Sequence, residues 1–364
     1  LTDKTTGFFG HKTISYSDVV LNPVYPDDVV ELPTNIKVQE GALKQDKKYW
    51  EGARPFELTP KEQNIYSMVD SVQNVPMYKT FVDIINMFVN YYYVVGYFEI
   101  GPYYQTYSFN EIEGNRFKVS GRTSNKFSKK LMISGFLAYG DKDDRFKWGT
   151  NALYMINKNP RVAASIGYKD DVEQLGQSPN ALTEDNILTS FLRRNPNYKL
   201  TLVRDFSTSL EKEWFNGFSN TITFNHRIIY PTQYIPFDPL DGTPALSNIT
   251  TSTVTLNTRW QKNESFVSGE FERVSLGSDW PEVNFDITKG FKNIVGSDVD
   301  FWELHFNYYH KFNINPFGYA RLIIDAGKIF GKVPYPLLKL HEGNETYAFD
   351  RYAFNMMNYY EFAS

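Results

Sequence analysis

The segment TSTVTLNTRW, residues 251–260, indicates the fold most clearly, because apolar and polar residues alternate along it. Val254, Leu256 and Trp260 share one side of an extended chain. The positions on the other side are all polar: Thr253, Thr255, Asn257 and Arg259. Successive side chains of a strand point to opposite faces. The segment therefore predicts a strand with one apolar and one wettable surface.

The same alternation recurs over most of the chain after Tyr91. Residues 281–289 and 301–310 repeat it most clearly. About twelve strands are predicted, near 94–108, 115–124, 129–140, 144–157, 160–170, 197–207, 217–230, 251–261, 264–274, 281–289, 299–313 and 315–328. Tight connections at 140–144, 157–160 and 313–316 contrast with long ones at 171–196 and 231–250. Short turns on one side and long loops on the other are typical of outer-membrane barrels.

Aromatic residues make up 17% of the chain, with 26 Tyr and 29 Phe. Rings with polar edges concentrate where a membrane meets water. A mean hydropathy of −0.44 is compatible with a membrane barrel, because only every second residue of its strands faces lipid. The most apolar stretch, 84–100, contains Asn86 and Asn90 and falls short of the ~20 apolar residues of a spanning helix. The predicted fold is all-β, an antiparallel transmembrane β-barrel.

Charge and cysteine content exclude several functional classes. The 38 basic and 42 acidic residues give a net charge of −4, which offers no broad attraction for nucleic acid. The absence of cysteine argues against a disulfide-stapled domain and thiolate metal sites. His305 and His310 lie five apart on one predicted strand and point to opposite faces, so they do not form a metal site. We expect no cofactor, no metal and no catalytic residue.

The first 93 residues have a different texture. Residues 1–58 predict a small periplasmic segment with short strands at 13–21 and 29–38. Thr59, Pro60 and Glu62 predict a helix start with a capping box. Two amphipathic helices are predicted within 59–93, packed against the neighbouring domain or, alternatively, lying on a membrane surface. Residues 94–364 are predicted as the barrel.

Two stretches carry the candidate functional residues. In the first, 108–124, Arg116, Lys118 and Arg122 share one face of a predicted strand, and candidate acidic partners are Glu113, Glu303 and Asp325. Paired charges inside a wet barrel predict structural locking, with a functional pore surface as the alternative. The second is the polar loop 332–357, with candidate residues Glu342, Asn344 and Arg351. A long loop is often functional.

The stretches Tyr103–Ser124 and Pro334–Phe362 resemble a family of mainly Bacteroidota outer-membrane proteins that carry a domain of unknown function. The resemblance implies a carboxypeptidase-regulatory-like domain before the barrel. Because the chain begins without Met or a signal peptide and stops in what looks like a further strand, we expect an internal fragment.

The family is similar, more distantly, to the sixteen-strand surface-antigen barrels of the Bam, Sam and Toc machines. This similarity implies that about four further strands close the barrel and that the loop 332–357 lies where those machines carry an inward-folded latch. Their latch uses an Arg-Gly-Phe core, which the loop here lacks. The resemblance therefore implies the same fold for this chain more strongly than it implies the insertase mechanism.

Together, these features predict a non-enzymatic outer-membrane β-barrel subunit in envelope biogenesis or macromolecular transport, with its polar lumen plugged by residues 332–357. The expected location is the bacterial outer membrane. The expected partners are outer-membrane lipid and other outer-membrane or periplasmic proteins of an assembly or transport complex. Two alternatives stay open: a passive uptake channel, and a soluble β-sandwich that binds glycans through its rings.

Overall fold

A computed structural model describes residues 14, 16, 19–21, 23, 24, 45–54, 56–175, 200–237, 246–341, 343, 344, 347, 353–357 and 363. The chain divides into two compact units, Leu1–Lys79 and Thr80–Ser364. Among the described residues, no helix is long and apolar enough to cross a membrane.

Three helices precede the strands: α1 (Lys47–Ala53), α2 (Pro60–Gln73) and α3 (Pro76–Asn90). The predicted start of α2 is confirmed: the Thr59 backbone N–H donates to Glu62 Oε2 at 2.8 Å, and the Glu62 N–H donates back to Thr59 Oγ1 at 3.4 Å. Helix α1 was not predicted, and Asp46 caps it by accepting a hydrogen bond from the Tyr49 N–H at 2.8 Å. Most of the strands predicted at 13–21 and 29–38 lies outside the described residues.

The strands are β1 (Tyr93–Val95), β2 (Phe98–Ile100), β3 (Tyr107–Asn110), β4 (Gly114–Thr123), β5 (Leu131–Gly140), β6 (Arg145–Lys158), β7 (Arg161–Gln174), β8 (Leu200–Phe215), β9 (Phe218–Tyr230), β10 (Ile249–Gln261), β11 (Ser265–Ser268), β12 (Arg273–Gly277), β13 (Glu282–Gly290), β14 (Phe301–Ile314) and β15 (Gly318–Gly331). The prediction of a mostly antiparallel β structure with a large sheet is confirmed.

One sheet contains 13 strands, in the order β1-β2-β4-β5-β6-β7-β8-β9-β10-β13-β14-β15, with β3 also paired to β4. Every pairing is antiparallel, and most strands pair with their neighbours in sequence. Within the described residues no pairing joins β15 to β1, so the described sheet is open.

Two predicted strands are interrupted. The strand predicted at 94–108 is divided into β1, β2, a 3₁₀ turn at Tyr103–Gln105, and β3. Gly96 and Gly101 adopt positive φ there, and Pro102 has no N–H to donate to a ladder. The strand predicted at 264–274 is instead a separate hairpin of β11 and β12, outside the large sheet. Gly269 lies between these two strands, where the chain reverses.

The register divides the sheet into two faces, because residues directly opposite in an antiparallel pair point to the same side. Lys118 pairs with Ala138, and Asn257 pairs with Asp286, on what we call the polar face. The opposite, apolar face carries mostly aliphatic and aromatic side chains: Val119, Leu137, Ile166, Leu210, Ile222, Leu256, Ile287, Leu304 and Ile324.

Connections differ between the two ends of the sheet. At the short-turn end, β6–β7, β8–β9 and β14–β15 are joined by two or three residues. At the long-loop end, residues 175–199 join β7 to β8 and 231–248 join β9 to β10. The segregation is incomplete: the 20-residue connection that carries β11 and β12 leaves the short-turn end, and the tight β5–β6 connection at 141–144 lies at the long-loop end.

Candidate functional site

The polar face carries charges that are paired across strands. Along β4 it presents Arg116, Lys118 and Arg122, and along β14 and β15 it presents Glu303 and Asp325. The cations of β4 do not contact Glu303 or Asp325 in any interaction among the described residues. Arg116 instead contacts Glu113 and Asp171, and Lys118 donates to Gln105. Arg122 contacts Glu99 and Glu272.

The most deeply buried cluster surrounds Glu113, at the turn between β3 and β4. Glu113 Oε1 lies 2.7 Å from Arg116 Nη1 and 2.8 Å from Lys147 Nζ, and Glu113 and Lys147 are both 0% exposed. Arg116 also reaches Asp171 on β7 at 2.7 Å, and Asn110 donates to Glu113 Oε2 at 2.7 Å. Buried charges require this degree of pairing. The Glu113 cluster thus ties β4, β6 and β7 together.

A second group lies further along the polar face, on β7, β8 and β9. Glu173 accepts hydrogen bonds from both Lys169 and Arg227. Asn225 donates to Asp205 Oδ1 at 2.5 Å, and Arg227 Nη1 lies 3.8 Å from Asp205 Oδ2. This group joins three successive strands, because the guanidinium group of Arg227 lies between the carboxylates of Glu173 and Asp205.

A third group centres on His305 of β14. Its Nδ1 lies 3.3 Å from Asp286 Oδ2, and its Nε2 lies 2.9 Å from Asp325 Oδ2. Asn257 and Asn307 donate to these two carboxylates at 2.5 and 3.2 Å. The imidazole is therefore held between carboxylates of β13 and β15. Among the described residues, no group of three or more His, Asp or Glu side chains is arranged to hold a metal ion.

A cleft of about 700 Å³ opens over the polar face of β4–β8. Small residues leave the space, namely Ser120, Ser134, Gly149, Gly167 and Ser207. Larger polar and aromatic side chains surround it, namely Tyr92, Tyr104, Gln105, Lys118, Phe136, Asn151, Lys169 and Asp205. Lys118 donates to Gln105 Oε1 at 2.9 Å and stands 4.5 Å from the centre of the Phe136 ring. The lining offers hydrogen bonds and ring faces to a polar ligand or to an entering segment of chain.

The β11–β12 hairpin folds across the polar face at the short-turn end. Phe271, at its tip, is buried against Met155 and Ala163. Arg161 Nη1 donates to the Phe271 carbonyl at 3.0 Å. Three ion pairs flank this contact: Glu270–Lys158, Glu272–Arg122 and Arg273–Glu213. The strand predicted at 264–274 does not anticipate this contact. The local sequence signal is a single ring, Phe271, among the charged residues of GEFER, residues 269–273.

The described part of the 332–357 segment approaches the long-loop end. Leu340 is buried with Ile229 and Ile249, the polar-face residues at the ends of β9 and β10. Leu337 packs against the same cluster. Both ends of the polar face are thus contacted by inserted chain.

The other candidate residues of this segment are only partly described. Asn344 is buried and donates to Asn355 Oδ1 at 2.7 Å, beside a parallel bridge between Gly343 and Phe354. This contact closes the segment on itself. Glu342 and Arg351 lie outside the described residues.

The model of the family described as "Family of unknown function (DUF5686) C-terminal domain" matches residues 84–364. No curated protein matches the chain. The matched range includes every strand of the sheet, the Glu113 cluster, the cleft and both inserted segments. Because the match spans well over half of the chain, the chain belongs to the DUF5686 family through its C-terminal domain.

Proposed function

We propose that this protein is a non-enzymatic outer-membrane β-barrel subunit in envelope biogenesis or macromolecular transport, whose polar lumen is plugged by its own chain. The observation that carries the proposal is the contrast between the two faces of one sheet. The polar face is locked by ion pairs, whereas Leu137, Ile222 and Trp302 on the apolar face are each about half exposed, at 52%, 52% and 48%. Exposed apolar surface on this scale marks contact with a membrane or a partner.

The distribution of rings on the apolar face supports lipid as the contact. Rings cluster toward the long-loop end, at Tyr139, Phe146, Trp148, Tyr230, Trp302 and Phe330, and toward the short-turn end, at Tyr154, Trp214, Phe218, Trp260, Tyr308 and Phe312. Aliphatic residues lie between. On β14 the ten steps from Trp302 to Phe312 span about 33 Å at ~3.3 Å per residue. A strand tilted by ~40° would reduce that span to the ~25 Å of an outer-membrane apolar band.

The inserted segments support a plugged lumen. The β11–β12 hairpin enters from one end and residues 337–340 approach the other, and both bury apolar side chains against the polar face. A further set of strands, pairing with β15 and β1, is part of the proposal, because a membrane barrel must leave no open edge. The resemblance to surface-antigen barrels supports the same arrangement and favours protein partners in the envelope.

Two other functions remain as alternatives. A passive uptake channel needs an open path, and the two inserted segments argue against one. A soluble β-sandwich that binds glycans needs a second layer on its apolar face. No such layer covers Leu137 or Ile222 within the described part of the chain.

The test uses single cysteines, which the chain permits because it has none of its own. Matched neighbours are Leu137→Cys with Ser134→Cys on β5, and Ile222→Cys with Thr223→Cys on β9. In intact cells and isolated outer membranes, a membrane-impermeant maleimide should spare the apolar-face cysteines. After nitroxide labelling, only those positions should collide with oxygen in the acyl region. Aqueous accessibility of Leu137→Cys and Ile222→Cys would disprove the membrane assignment.

The plug is tested separately by planar-bilayer conductance. Deleting residues 332–357, or replacing Phe271 with Ala, should raise the conductance of the reconstituted protein. A large steady conductance that neither change alters would show that the lumen is not plugged. A pull-down from solubilised envelopes, with the soluble fraction as the control, distinguishes the subunit of a complex from a solitary channel, because only the subunit retains protein partners.

A further inference from the structure

Helix α3 has an unusually narrow polar stripe. Asp83, Asn86 and Asn90 recur at i, i+3 and i+7, and so fall within about 60° of the helix circumference at 3.6 residues per turn. The residues directly opposite are Phe81, Ile85 and Phe88. A helix of this kind is built to contact an apolar phase over most of its surface.

The apolar stripe of α3 is uncovered within the described structure. Phe81, Ile85 and Phe88 are 60%, 43% and 54% exposed, and no described residue of the helix is buried. The two half-buried positions, Val82 and Met87, lie on the flanks of the stripe rather than at its centre. Packing against the sheet, as the sequence predicts, therefore does not account for the apolar stripe.

The helix leads directly into the apolar face of the sheet. The Phe88 ring meets the Tyr103 ring edge-to-face, with centroids 5.1 Å apart. The β1–β2 hairpin follows, where Tyr93 pairs with Ile100 and Val95 with Phe98. These four residues are exposed and lie on the face opposite Glu99, which pairs with Arg122 on the polar face. The exposed stripe is thus continuous in sequence with the surface assigned to lipid.

We propose that the Phe81–Asn90 part of α3 lies in the interfacial layer of the bilayer, with Phe81, Ile85 and Phe88 in the acyl region and Asp83, Asn86 and Asn90 toward water. The occupant of the stripe is a lipid surface. A second protein would need a patterned polar rim, whereas the stripe is bordered by Val82, Ile84, Met87 and Val89. The helix is too short to span a membrane but suits an interfacial position. This inference rests on the proposed function, because that proposal supplies the adjoining membrane.

The experiment places nitroxides at single cysteines in the protein reconstituted into vesicles of phosphatidylethanolamine and phosphatidylglycerol. Apolar-stripe sites are Phe81→Cys, Ile85→Cys and Phe88→Cys. Polar-stripe controls are Asp83→Cys, Asn86→Cys and Asn90→Cys. Collision rates are measured with oxygen, which concentrates in the acyl region, and with a water-soluble nickel chelate. The oxygen-to-nickel ratio should be several-fold higher on the apolar stripe and should vary with the helical period.

Two results would overturn the inference. Labels that are immobilised and shielded from both reagents on the apolar stripe would show that protein covers it. Nickel accessibility equal on the two stripes would place the helix in water. Val89→Cys, at the border of the stripe, serves as a further site if Phe81→Cys or Phe88→Cys fails to fold, because Val89 is already 68% exposed and a label there displaces little.

Leu137→Cys on β5, measured in the same vesicles, separates this inference from the proposed function. If the label at Leu137 contacts lipid while the labels on α3 contact water or protein, the inference about the helix is refuted and the proposed function is not. Water or protein at Leu137 refutes the membrane barrel, and lipid at α3 in that case identifies a protein anchored to the membrane surface through the helix. Lipid at both supports both.

Discussion

Arg122 on β4 and Glu272 on the β11–β12 hairpin lie 150 positions apart in the chain, and their side chains meet at 2.5 Å. The pair spans the polar face, from a strand near the start of the sheet to a hairpin inserted between β10 and β13. Arg122 is simultaneously held by Glu99 at 2.6 Å. The finding raises the question of which contact holds the hairpin in place.

We expect Phe271, rather than the Arg122–Glu272 pair, to contribute most of that stability. The Glu272 side chain is 69% exposed, and exposed pairs contribute about 0–1 kcal/mol. Burial of a phenylalanine contributes more, since Phe→Ala in a core costs about 3–5 kcal/mol. Hydrogen exchange of the β11–β12 amides should therefore accelerate strongly in Phe271→Ala and slightly in Glu272→Ala. Val274→Ala, at an exposed position of the same hairpin, is the control. Equal acceleration in the first two variants would contradict this ranking.

The Glu113 cluster should tolerate no loss of a single member. Glu113→Ala leaves Lys147 and Arg116 buried without their shared carboxylate, and breaking a buried pair costs about 3–5 kcal/mol. We expect the denaturant midpoint of unfolding to fall markedly. Glu111→Ala is the matched control on the same turn, because its 3.5 Å pair with Lys142 is partly exposed. A Glu113→Ala midpoint no lower than that of Glu111→Ala would show that the cluster is not structural.

Two glycines with similar backbone conformation should differ in their response to substitution. Gly217, in the β8–β9 turn, has φ +79°, and a Cβ there would lie 1.8 Å from the carbonyl oxygen of Gln261. Gly277 has φ +84°, and a Cβ added to it would have no atom within 4 Å. Gly277→Ala incurs only left-handed backbone strain of about 1–2 kcal/mol. Gly217→Ala adds a backbone clash and should lower the unfolding midpoint further. Equal midpoints would mean that the turn relaxes.

The capping box of α2 should make the stability of the first turn of this helix depend on pH. Hydrogen bonds from the Thr59 hydroxyl and N–H lower the pKa of Glu62 below its ordinary value. A lowered folded-state pKa means that the stabilisation is present above the ordinary pKa and is lost as pH falls through the folded value. The protection factors of the Glu62 and Gln63 amides, which correct the exchange rate for its intrinsic pH dependence, should fall on acidification below about pH 4. Thr59→Ala should lower these protection factors already at neutral pH and flatten their pH profile, whereas Lys61→Ala should leave the profile intact. An unchanged profile in Thr59→Ala would exclude the capping box as its source.

The alternation in sequence was sufficient to predict most of the sheet. It located β4, β5, β6, β9, β10, β13, β14 and β15 to within a few residues, because a period of two is a local property of an extended chain. For β8 it predicted an end at residue 207, whereas the strand continues to Phe215. Glu211, Lys212 and Glu213 interrupt the apolar pattern in this part of the strand. The two carboxylates are accommodated because Arg161 pairs with Glu211 and Arg273 pairs with Glu213.

The candidate functional site was harder to predict from the sequence than the sheet was. Placing Arg116, Lys118 and Arg122 on one face required only strand periodicity. Their partners could not be found that way, because Asp171 and Glu272 are brought to them by sheet order and by an inserted hairpin. The pairing of Arg116 with Glu113 was accessible, since the two are three residues apart across a turn.

The amino-acid sequence alone determined that the chain forms long antiparallel strands with one polar and one apolar face, because side-chain direction in a strand depends only on position parity. Tertiary structure decided which charges neutralise one another, where residues 262–281 go, and which apolar stripe stays uncovered. Those outcomes depend on contacts between distant segments, whose energies exist only after the sheet has brought the segments together.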